Sequence, residues 1–101
     1  MKTLLFSSVA ILLTAVAGAG NAAAQAIHTG GETGAYHSTF CPMIEKALGK
    51  AQFAYKCTTS DGSRDNIQKV ISAPGDIGFS QLDVFALERG KLGTSELLQP
   101  L

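Results

Sequence analysis

The sequence predicts an α/β fold, a doubly wound parallel sheet, on three observations. Short apolar or alternating segments stand at Ala26–His28, Gln52–Thr58 and Asp76–Gln81. A stretch with helical spacing of apolar residues follows each. The turns between them are short, which suits crossover units joining parallel strands.

In chain order the first 26 residues stand apart from this pattern. MKTLLFSSVAILLTAVAGAGNAAAQA has Lys2 at its start, an apolar run from Leu4 to Ala17 and small residues behind it. That is the layout of a secretory signal peptide. A membrane-spanning helix needs about 20 mostly apolar residues, and this run is shorter and interrupted by Ser7, Ser8 and Thr14. Cleavage after Ala24 and cleavage after Ala26 both satisfy the small-residue rule. Neither junction carries a cysteine for a lipid anchor. The expected product is residues 27–101, released into the periplasm and not itself membrane-spanning.

Charge argues against several partner classes. The chain is formally neutral, with 8 basic and 8 acidic residues, and the acidic ones all lie outside the leader and are scattered. Neither nucleic acid nor an anionic membrane surface is suggested.

The first element after the leader is a buried strand at Ala26–His28 that stops near Thr29, where glycines begin. Phe40, Met43, Ile44, Ala47 and Leu48 then fall on one helical face. Ser38 or Thr39 caps that helix, or Pro42 opens its regular part, and Gly49 supplies the stop. The alternating Gln52–Thr58 reads as the second strand, with Phe53, Tyr55 and Cys57 on the drier face. TTSDGS is a turn, and Ile67, Val70 and Ile71 mark the second helix, with Ser63 as N-cap and Pro74-Gly75 as stop. Asp76–Gln81 is the third strand. Leu82, Phe85 and Ala86 restart a helical face that runs to Gly90. The tail leucines Leu92, Leu97, Leu98 and Leu101 have little partner surface left to cover them.

A folded part of this size buries a modest core unless something staples it. Export to an oxidising compartment favours pairing of Cys41 with Cys57 over two free buried thiols. Cys41 lies near the carboxyl end of the first strand and Cys57 closes its neighbour at the same end, so a Cys41–Cys57 disulfide is predicted.

Ligands of an open parallel sheet settle outside the carboxyl ends of the strands, near helix amino termini. GGETGAY, TTSDGS and Ser80-Gln81 all fall there and offer neutral donors and hydroxyls. The glycines give GGxxG, neither GxGxxG nor a phosphate loop, so no nucleotide cofactor is expected. His28, Glu32 and His37 are too few for a metal site. Ser60, Asp61 and Ser63 lack a strained elbow and a placed histidine, so no catalytic nucleophile is assigned.

TGGETGAYH, CTTSDGSRDNIQKV and GDIGFSQLDVF, together with the signal peptide, resemble the amino-terminal part of TAXI-type solute receptors, the extracytoplasmic binding proteins of one branch of the TRAP transporters. The likeness spans nearly all of residues 27–101. It runs through a TGxxxGxYY variant at Thr29–Tyr36, the segment Gly62-Ser63-Arg64-Asp65-Asn66 and Asp76-Ile77-Gly78-Phe79 with Ser80-Gln81-Leu82-Asp83 behind it. The resemblance implies that residues 27–101 are the truncated amino-terminal part of lobe 1 of a type II periplasmic binding protein fold. It implies capture of a small carboxylated solute for a membrane permease, without enzymatic activity, cofactor or metal. Ligand-binding residues by the same resemblance are Gly31, Thr33, Gly34 and Tyr36 in the first loop, Ser60 and Ser63 in the second, and Ser80 and Gln81 in the third. His37 departs from the pattern, standing where a second tyrosine is usual, and the second lobe lies beyond the sequence, so this chain alone is expected to bind solute weakly or not at all. The alternatives keep the fold: a receptor of an ATP-driven importer for sulfonates, phosphonates or thiamine precursors, or a periplasmic enzyme or sensor input domain that would depend on Glu32 or Asp61.

Overall fold

Three parallel strands form one side of a five-stranded sheet. The computed structural model describes residues 10–15, 25–92 and 98–101. In it β2 (Gln25–His28), β3 (Tyr55–Thr58) and β4 (Ile77–Gln81) pair in the order β3-β2-β4, all parallel. Each is followed by a helix, α1 (Cys41–Lys50), α2 (Ser63–Ser72) and α3 (Leu82–Leu92). Successive strand residues point to opposite faces, and the helices take both. Ile27, Ile77 and Phe79 pack with Cys41, Ile44 and Leu48 of α1. Ile67 and Val70 of α2 pack with Phe85 of α3 on the other side. Gly78 faces α2, where an added Cβ would lie 3.0 Å from the Val70 side chain and 3.3 Å from that of Asn66. A side chain there would have to push that helix back by a few tenths of an ångström, which glycine avoids.

The sheet is not wholly parallel, which corrects the expectation. β1 (Ala10–Ala15), within the apolar run read above as a leader, lies beyond β4 and antiparallel to it, with Ala10 opposite Gln81 and Thr14 opposite Ile77. β5 (Leu98–Pro100) pairs antiparallel to β1 in turn, giving the order β3-β2-β4-β1-β5. A strand flanked on both sides and covered on both faces needs apolar residues pointing both ways. Adjacent Leu12 and Leu13 meet that need, Leu12 packing into the α1 layer and Leu13 into the α2/α3 layer. In the tail, Leu98 is fully buried in the latter layer, while Leu101 remains 69% exposed. Leu97 lies outside the described residues, and so does Ala24, whereas Ala26 belongs to β2.

Element ends differ from their sequence readings for identifiable reasons. The helical chain starts early, as a π turn over Tyr36–Phe40 that leads into α1, and neither Ser38 nor Thr39 caps it. Pro42 has no N–H and its ring crowds the carbonyl four residues back, and the turn before it is widened, with the Cys41 N–H donating to Tyr36 O. Of the apolar stripe, Ile44 and Leu48 are half-buried, but Phe40 and Met43 are 48% and 65% exposed. Gly49 does not end α1. The chain reverses at Gln52, with φ 69°, while Gln52 N–H donates to Gly49 O and Phe53 N–H to Leu48 O, a Schellman closure. That use of Phe53 shortens β3 and leaves the ring 57% exposed. Pro74-Gly75 follow the end of α2 as expected. The predicted Cys41–Cys57 disulfide is present, with Cα atoms 6.1 Å apart, and ties the start of α1 to β3.

Candidate functional site

β2 and β4 are hydrogen-bonded neighbours, yet the chain leaves them toward opposite faces, after β2 to the α1 layer and after β4 to the α3 layer. Diverging loops at adjacent strand ends leave a crevice between them, the switch point of an open α/β sheet. A cleft of about 270 Å³ opens there, lined by Gly30, Gly31, Gly34, Ala35, Tyr36 and Gln81.

The wall is mostly backbone. Gly30 takes φ 146°, a conformation that glycine alone adopts without strain, although nothing crowds its Cβ position. Gly34 N–H donates to Gly31 O at 3.0 Å, and the N–H and hydroxyl of Ser38 both donate to Gly34 O at 2.9 Å. The chain thus enters the helix through a tight turn, with Ala35 and Tyr36, the first residues of the helical segment, at the cleft. Tyr36 is half-buried and stacks on Phe79, centroids 4.8 Å apart and planes 12° from parallel. Burial pushes its phenol pKa above the ordinary 10.0. Its hydroxyl therefore stays protonated, a donor, at neutral pH.

One buried side chain braces the rim from below. Asn66 Nδ2 donates to Thr29 O at 3.1 Å and to Phe79 O at 2.8 Å, and its Oδ1 accepts the Ser60 hydroxyl. Asn66 thereby ties the segments that end β2 and β4 to the loop after β3. A fully satisfied buried amide holds such a junction rigidly. Ser60 N–H adds a bond to Gly30 O at 2.8 Å. Beside it, the Thr29 N–H and hydroxyl both donate to Thr58 O, at 2.9 and 2.8 Å. With its proton so used, the Thr29 oxygen accepts from His37 Nδ1 at 2.9 Å, which places the ring proton of His37 on that nitrogen.

Four of the expected ligand residues, Gly31, Gly34, Tyr36 and Gln81, meet at the cleft wall. The other four do not form part of it. Thr33 lies in the exposed outer turn. The Ser60 hydroxyl is held by Asn66 and also accepts Gly62 N–H. Ser63 is neither a wall residue nor the helix cap: Gly62 caps α2, and Ser63 Oγ accepts Gln81 N–H at 2.9 Å, locking the second loop to the third. Ser80 is fully buried, its hydroxyl donating to the Gln81 carbonyl. Gly30, Ala35 and the brace Asn66 were missed. The signal for Asn66 was available, since it precedes Val70 by four residues and so shares its inward helical face.

Acid–base groups lie elsewhere. Among the described residues, those of the wall carry no carboxylate, imidazole or thiol. Glu32 and Asp61 are both exposed. His28 is buried, its Nε2 2.8 Å from Asp76 Oδ2, and Asp76 precedes β4 at the end of the sheet away from the cleft. Asp76 also accepts Ala26 N–H at 3.1 Å, so the pair joins two strands. Among the described residues no three His, Cys, Asp or Glu side chains gather to hold a metal ion. Compared with known protein families, curated proteins and solved structures, the chain matches none.

Proposed function

We propose that the chain contributes half of the cleft of an extracytoplasmic solute receptor, taking a small carboxylated solute for a membrane permease of the TRAP type. One observation carries the reading: among the described residues, the polar side chains of the wall are those of Tyr36 and Gln81, a neutral phenol and a neutral amide, set beside a helix start at the switch point of the sheet. Such a site holds an anionic or polar guest by amide hydrogens and hydroxyls and offers it no nucleophile, base or acid. In this reading Tyr36 donates from its hydroxyl, Gln81 offers its amide, and Gly30, Gly31 and Gly34 let the guest approach the backbone. Asn66 and the Thr29–His37 pair keep the rim in place before any guest arrives. The Cys41–Cys57 disulfide is compatible with a location outside the cytoplasm.

The test is an amide-resolved NMR titration of the oxidised chain with succinate and with glutamate, at millimolar concentrations. Shift changes confined to Gly30, Gly31, Gly34, Tyr36 and Gln81, weakened by Tyr36→Phe, support the assignment. Absence of any change, or changes centred on another part of the surface, would refute it.

A further inference from the structure

We propose that Ala10–Ala15 has two mutually exclusive occupations, apolar core of an export leader in the unfolded chain and interior sheet strand in the folded one, so that folding withdraws the leader from recognition. The proposal rests on reading residues 1–26 as a secretory leader.

β1 is not a strand laid along an edge. Ala10 to Thr14 are registered against β4 on one side, and Leu13 to Ala15 against β5 on the other. Leu101 N–H reaches back to Leu12 O at 2.8 Å, and the Thr14 hydroxyl donates to Asp76 O at 2.7 Å. Leu13 has no exposed surface and packs among Ile67, Val70, Phe85 and Leu98. Leu12 packs into the opposite layer. A leader is recognised through a free apolar run. With Leu13 fully buried, Ile11 and Leu12 half-buried and Leu13 and Thr14 paired along both edges, the strand presents only part of its apolar run and little free backbone. Withdrawing it would empty the space around Leu13 and leave the edges of β4 and β5 unpaired. The same folding covers one of the two processing positions, because Ala26 lies within β2 and Ile27 is fully buried.

Two measurements on the full-length, oxidised chain test this. Hydrogen exchange read by mass spectrometry should show residues 10–15 protected together with residues 77–81 and released in the same opening. Exchange of 10–15 at the unfolded rate while 77–81 stays protected overturns the proposal. Cleavage by signal peptidase in detergent should then be at least ~10-fold slower for the folded chain than for chain freshly diluted from denaturant, since the enzyme acts on the opened population. Equal cleavage of both samples overturns the burial. Cleavage of neither removes the leader itself, and the exchange data would then stand as evidence for a permanent structural strand.

Discussion

The two layers that cover the sheet are built on different principles. On one face α2 contributes Asn66, Ile67 and Val70 as buried residues and meets Phe85, Leu13 and Leu98. On the other, the one buried residue of α1 is Cys41, half of a disulfide, while Phe40 and Met43 stay largely exposed. The apolar spacing of the two helices looks equally strong in the sequence. The α2/α3 layer is held by interlocking apolar side chains, and the α1 layer is held in good part by a covalent link and by the stacked rings of Tyr36 and Phe79. The helix beside the cleft thus buries fewer of its own side chains than α2 does, and segments with few buried apolar contacts open most easily.

The sharpest way to break this contrast is a matched pair of truncations. Ile67→Ala should cost about 2–5 kcal/mol, as large-to-small changes in a well-packed core do. Ile44→Ala, at a half-buried position on α1, should cost less than half as much. Denaturant midpoints at unchanged m-value measure both, and equal losses would show that the layers are packed alike. Next in size is the double replacement Cys41→Ser with Cys57→Ser. The sequence separation of 16 residues corresponds to about 3 kcal/mol in the chain-entropy treatment. Loss of hydrogen-exchange protection should concentrate in α1 and the π turn, with α2 retaining its own. Smallest is Gln52→Gly, which relieves a side chain held at φ 69° and should add less than about 1 kcal/mol in a thermal or denaturant melt. A loss of stability there would mean that the Gln52 side chain contributes more than its backbone costs.

Much of the molecule between residues 25 and 92 was legible in its letters. Short strands bracketed by turn residues, and stripes at helical spacing, are local signals that survive folding because every neighbouring element wants the same alternation. Helix ends were less legible, because a cap depends on what else competes for the group. Ser63 has the chemistry of an N-cap, but its oxygen accepts the Gln81 N–H from another strand. Ser80 has the chemistry of a ligand donor, yet it sits on the inward side of β4. The apolar run from Leu4 to Ala17 was read only as a leader, since apolar segments of that length suit a signal, a buried helix or a two-sided strand alike.

By itself the sequence determined the alternation of strands and helices, the parallel pairing of three strands and the two cysteines that join. Each depends on residues close in the chain or on a pairing that the strand order brings within reach. Only the tertiary structure decided which hydroxyl-bearing residues lie at the cleft, which amide braces the rim and where Ala10–Ala15 lies. Those outcomes turn on competition between distant groups for the same hydrogen bond or the same buried space, and no local pattern records who wins it.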